Sequence, residues 1–170
     1  QESIGKEPGT MKKKSLKIKI PPQDLSAFGM ESLKVNPFWY DLYGIEDEAL
    51  ALRLSASFGG GIGRMRETCG AACGMFMLAG LENGSAKAGD AEGKKQNYAL
   101  VQEMAGKFKE INGSIVCKEL LGLVPMGSCQ TAPKESPEPS DRTPEYYKKR
   151  PCEELVGISA RIVGEKLLSL

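Results

Sequence analysis

Phe58 to Leu81, F-G-G-G-I-G-R-M-R-E-T-C-G-A-A-C-G-M-F-M-L-A-G-L, joins a glycine-rich turn to a helix that opens on Cys69 and carries Cys73 one turn later. Glycines at 59, 60, 61 and 63 give the backbone access to positive φ and to close approach. They follow a predicted helix rather than a strand. They also lack the lysine and hydroxyl of a P-loop and the G-x-G-x-x-G spacing, so the turn is read as interhelical rather than phosphate-binding. Thr68 is the expected N-cap of a helix to about Leu78, with Phe76, Met77 and Leu78 as packing groups.

Working outward, Ile45, Ala49, Leu52 and Ala56 recur at helical spacing and predict a helix over about 46–57. Residues 82–96, ENGSAKAGDAEGKKQ, read as a flexible linker. A helix follows Asn97, with Val101, Met104, Ala105, Phe108 and Ile111 on one face, and stops at Asn112-Gly113. Ser114 is placed to cap a short helix from Ile115 to Leu121. From Pro125 to Pro151 the chain is a long Pro-rich loop, with a turn of helix expected at Glu145–Lys149. Pro151 then starts a last helix, Cys152 to Leu168, with Leu155, Ile158 or Ser159, Ile162, Lys166 and Leu167 along one side. The fold class expected is all-α: four to five helices behind an irregular basic arm, residues 1–37, with the helical domain over 38–170. Phe38, Trp39, Tyr40, Leu42 and Tyr43 would anchor that arm.

Composition narrows the chemistry. The chain has 170 residues, a formal net charge of +1 and no histidine. Ser-His and Cys-His catalysis and imidazole metal ligands are therefore excluded. The near-zero charge offers no electrostatic case for nucleic acid. Residues 1–20 hold six lysines against two acids, read as a solvated tail. No stretch reaches the ~20 apolar residues of a membrane span. Five cysteines at uneven spacing suit working thiols in a reducing, cytoplasmic setting better than a secreted disulfide scaffold.

Chemistry at this chain is then sulfur chemistry. Cys69 at a helix start, near Arg64 and Arg66, is expected to be the most acidic of the five thiols. Cys73, one turn on, is too far in an intact helix for a disulfide with Cys69, so a shared metal or separate partners fit it better. Cys117 on the short helix and Cys152 at the start of the last one are placed to approach Cys69. Cys129, in the loop, has the weakest claim. Against all of these stands plain burial, the commonest fate of a free cysteine.

Taken together, the motifs resemble the bacterial and archaeal family named after its pattern C_GCAxxG_C_C, whose members are described as redox-active. Its C-G-A-x-x-G is similar to Cys69-Gly70-Ala71-Ala72-Cys73-Gly74, and its G-S-x-x-C-x-x-L-L to Gly113-Ser114-Ile115-Val116-Cys117-Lys118-Glu119-Leu120-Leu121. Its last cysteine resembles Cys152. The family's first cysteine, before the glycine turn, has no counterpart. Cys73, at a variable position of the motif, is the sulfur available to stand in for it.

Three functions follow as expectations. The first is a thiol redox protein, Cys69 reacting and Cys117 or Cys152 resolving, with a redox partner protein or small thiol as partner. The second is a zinc or iron–sulfur protein using Cys69, Cys73, Cys117 and Cys152. The third is a non-catalytic helical interaction module, and a homo-oligomer is compatible with each.

Overall fold

The structure, a computed structural model, describes residues 47–132, 135–138, 141 and 143–168, without the side chains of Glu48, Tyr147, Leu167 and Leu168. Helix α1, Glu48–Ser55, begins where the Asp47 carboxylate accepts a hydrogen bond from the Leu50 N–H at 2.8 Å. That cap satisfies one of the open donors of a helix start. The helix tightens into a 3-10 turn at Ala56–Phe58. There follow α2, Gly70–Asn83, α3, Ala91–Asn112, α4, Cys117–Leu120, α5, Pro144–Lys148, and α6, Cys152–Leu168. Among the described residues no strand forms, and the one β-type pairing is an isolated antiparallel bridge between Thr68 and Val116. The fold is all-α, as expected.

Helices α2, α3 and α6 pack on one another and enclose the core. Leu100, Met104 and Phe108 recur every four residues and line the buried face of α3. Ala72, Met75, Leu78 and Ala79 face them from α2, and Leu155, Ile158, Ile162 and Val163 from α6. Ala72 and Ala79 are wholly buried, and their small side chains leave room for the larger Met75 and Phe108 between the helices. Cys69 joins this cluster from the end of α2. Lys166 of α6 reaches Glu103 of α3 at 3.1 Å across the exposed rim.

Several expected boundaries move. The presumed linker, residues 82–96, is mostly helical: α2 runs on to Asn83, and α3 begins at Ala91. Its cap explains the early start, since the Asp90 carboxylate accepts from the Gly93 N–H at 2.9 Å. Beyond it, Ala91, Glu92, Lys94, Lys95 and Gln96 are good helix formers, and Glu92 contacts Lys95 and Gln96 one turn on. The cap of α2 is Cys69 rather than Thr68, and α4 starts at Cys117 with Ser114 outside it. The Ser114 hydroxyl instead accepts from the Val116 N–H at 2.9 Å, shaping the turn before α4.

The apolar face expected for α1 is not its buried face. Ala51 and Ser55 are buried, whereas Ala49 and Ala56 are exposed. Helix α1 contributes nothing to the three-helix core, so no large apolar surface selects its leucines. Ile111 is likewise 59% exposed, because α3 has outrun the core by its last turn. The basic arm and the aromatic cluster lie outside the described residues.

Phe108 is fully buried between three helices. Phe108→Ala should cost about 3–5 kcal/mol through lost burial and the cavity left behind. Ile111→Ala, at the same helix end but exposed, should fall within about 0.5 kcal/mol of the parent. Urea unfolding of both variants is the check.

Candidate functional site

The glycine turn winds the wrong way for L-residues. Gly60, Gly61, Ile62, Gly63 and Arg64 all have φ between +55° and +76°, and Arg66 has +63°. Ile62, Arg64 and Arg66 each carry a left-handed penalty of about 1–2 kcal/mol. Hydrogen bonds across the turn hold it: Gly63 N–H to Ser57 C=O at 2.7 Å, Arg66 N–H to Gly60 C=O at 3.2 Å, and Glu67 N–H to Gly61 C=O at 3.0 Å. Gly61 must be glycine for a second reason. A Cβ there would stand 2.5 Å from the Cβ of Cys117 and 2.8 Å from the Cα of Arg66.

The chain leaves this turn as a short extended strip that pairs with the strip leading into α4. Cys69 N–H donates to Ile115 C=O at 2.8 Å, Cys117 N–H to Glu67 C=O at 2.5 Å, and Lys118 N–H to Arg66 C=O at 3.0 Å. Thr68 and Val116 oppose each other. Cys69 and Cys117 flank that bridge, so the alternation of extended backbone puts both on its other side. Cys152, half-buried, opens α6.

All five cysteines are free thiols. Burial pushes Cys69 up to about 11, although the N–H groups of Ala72 and Ala71 at the helix start pull the other way. Burial also raises Cys117, opposed by a hydrogen bond from Arg66 and by the charges of Arg66 and Arg150. Cys73 is buried on α2, one turn from Cys69, and raised by burial. Cys129 is exposed in the loop.

Arg66 organises the site. It is only 2% exposed. Its Nε donates to Glu135 Oε1 at 2.6 Å, its Nη2 to Glu135 Oε2, and its Nη1 to Gly60 C=O at 3.5 Å. Arg64 Nη2 meets the same Glu135 oxygen at 3.0 Å. The Arg66 fork holds the Glu135 carboxylate well below its usual range. Glu135 thus ties the Pro-rich segment to the thiols from 69 residues away.

Two expectations change. Cys69 is not made acidic by its position. A rise from 9.0 to about 11 is worth about 3 kcal/mol, against the ~0.3–1 kcal/mol of a helix end. The arginines expected to help it are turned elsewhere, both to Glu135, and Arg66 also to Cys117. The four-sulfur metal set does not fit this arrangement either. No group of three or more His, Cys, Asp or Glu among the described residues is gathered to hold an ion. Glu135 was missed because nothing local in a Pro-rich loop marks a carboxylate that folds back. Arg66 carried a signal, a positive charge three residues before Cys69, but its target was misjudged.

The family model described as Putative redox-active protein (C_GCAxxG_C_C) matches residues 38–166, most of the chain. The chain belongs to that family. No curated protein and no solved structure matches it. No helix among the described residues is long and apolar enough to cross a membrane.

Two outcomes follow from the geometry. Gly61→Ala should cost about 2–4 kcal/mol, combining a left-handed alanine with overpacking against Cys117. Gly63→Ala, where an added Cβ meets nothing within 4 Å, should cost only the conformational part, about 1–2 kcal/mol; thermal unfolding ranks them. The second concerns the buried thiol. Because the folded state favours neutral Cys69 up to about pH 11, iodoacetamide at neutral pH should label exposed Cys129 first. Cys69 should label only as pH rises past 9 toward 11, read by mass spectrometry of folded, reduced protein.

Proposed function

We propose that this protein performs thiol–disulfide exchange through Cys117, with Cys69 or Cys152 as the resolving thiol. The observation that carries the reading is that the pairing of residues 66–69 with 115–118 sets Cys69 and Cys117 on one side of the paired strips, with the glycine turn and the Arg66 backbone packed against Cys117. Cys117 takes the attacking role because Arg66 and Arg150 favour its thiolate and offset part of the rise that burial imposes. Cys69, which burial keeps neutral, suits the resolving step, since attack on a neighbouring disulfide sulfur is intramolecular and needs only a transient thiolate.

The chemistry balances as follows. The Cys117 thiolate attacks one sulfur of a substrate disulfide, forms a mixed disulfide and releases one substrate thiolate. The resolving thiol gives up its proton and attacks the Cys117 sulfur, which forms the protein disulfide and releases the second thiolate. Two electrons pass from protein to substrate, and the two protons shed by the cysteines end on the two released thiols. Reduction of the protein disulfide by another dithiol closes the cycle.

Diamide oxidation of the reduced chain followed by peptide mapping tests this. The expected product is an intramolecular disulfide that contains Cys117 and either Cys69 or Cys152, absent in Cys117→Ser. Oxidation confined to intermolecular Cys129 pairs would remove the redox reading and leave the three thiols as packing groups.

A further inference from the structure

We propose that the guanidinium fork of Arg66 and Arg64 is a subsite for the carboxylate of an anionic disulfide or thiol substrate, and that Glu135 occupies it as an internal stand-in. The inference rests on the exchange reaction proposed above and names its substrate class.

Glu135 makes the contacts a bound carboxylate would make. Both of its oxygens engage Arg66 in the two-pronged geometry that arginine uses to recognise carboxylates, and Arg64 adds a contact at 3.0 Å. The fork is preorganised. Arg66 is buried, its Nη1 is held by Gly60 C=O, and its backbone is locked in the left-handed turn. The Arg66 charge acts on Cys117, and the Arg66 backbone lies beside it, its C=O accepting from the Lys118 N–H, so a carboxylate seated there lies near the reacting sulfur.

The occupant is the replaceable part. Glu135 is carried on a segment outside every helix, and its side chain is 24% exposed. Charge favours an anion at this place: Arg66, Arg64 and Arg150 all stabilise the Glu135 carboxylate. An incoming carboxylate that displaces Glu135 inherits its contacts and presents the attached sulfur to Cys117. A neutral disulfide gains nothing there.

The test uses the full reduced chain and three small disulfides: dithiodipropionate, with carboxylates; hydroxyethyl disulfide, neutral; and cystamine, cationic. Oxidation rates of the protein thiols are compared in the wild type, Glu135→Gln, Arg64→Gln and Glu138→Gln. The last removes an exposed charge from the same segment. Glu135→Gln should speed dithiodipropionate about tenfold while hydroxyethyl disulfide stays within about twofold, as expected when a competing charge-assisted pair is removed. Arg64→Gln should erase the preference for dithiodipropionate over hydroxyethyl disulfide.

Equal acceleration of all three disulfides by Glu135→Gln, or the same gain from Glu138→Gln, would overturn the subsite and leave thiol exchange standing. Failure of every disulfide to oxidise Cys117 would overturn both. Should Glu135→Gln not fold, Arg64→Gln decides alone, since a retained preference for dithiodipropionate overturns the subsite.

Discussion

Three backbone hydrogen bonds join the strip before α2 to the strip before α4, and the position of the sulfurs depends on them. Helices alone would leave Cys69 and Cys117 at the ends of separate elements, free to splay. The pairing of residues 66–69 with 115–118 fixes their register, because a slip of one residue would turn either cysteine to the opposite side. The three-helix core supplies the platform. Met75, Phe108 and Val163 immobilise α2 against its neighbours, and Cys69 is anchored where that core ends.

At the sulfurs, two effects oppose each other. Burial disfavours a thiolate, while helix N–H groups and guanidinium charge favour it. At Cys69 burial prevails by a wide margin, and the neutral thiol is the resting form. At Cys117 burial also prevails, but the charges of Arg66 and Arg150 offset part of it. The two thiols are thereby made chemically unequal. That inequality suits a two-step exchange, in which one sulfur must attack an outside partner and the other must wait.

The fold was legible where local chemistry agrees with global packing. The spacing of Met104 and Phe108, the Gly113 stop and Pro151 before α6 all act within one turn of chain, so sequence alone marks them. Residues 82–96 misled because Gly and Ser at one end of the segment masked the Asp90 cap and the helix formers after it. At the site, the cysteine pattern pointed to the strips holding Cys69 and Cys117, which pair through their backbones. The acidity of Cys69 was misread because burial is a property of the assembled core and not of its neighbours in sequence. Glu135 was illegible for the same reason: its partner is 69 residues away.

The left-handed turn explains why an arginine serves here and how it is aimed. Ile62, Arg64 and Arg66 together carry roughly 3–6 kcal/mol of backbone cost, a large share of the ~5–15 kcal/mol that stabilises an ordinary domain. Such strain persists only where surrounding contacts over-determine it. Here they do: cross-turn hydrogen bonds hold the backbone, and the Glu135 pair holds the Arg66 side chain. A right-handed turn of equal length would direct residue 66 differently from its Cα and leave the Cys117 thiol without its cation. Gly61 belongs to the same device, since only a residue without a Cβ lets the turn lie against Cys117 closely enough for Arg66 to reach it. The four glycines, first legible as a simple interhelical turn, are thus what brings positive charge to a buried sulfur.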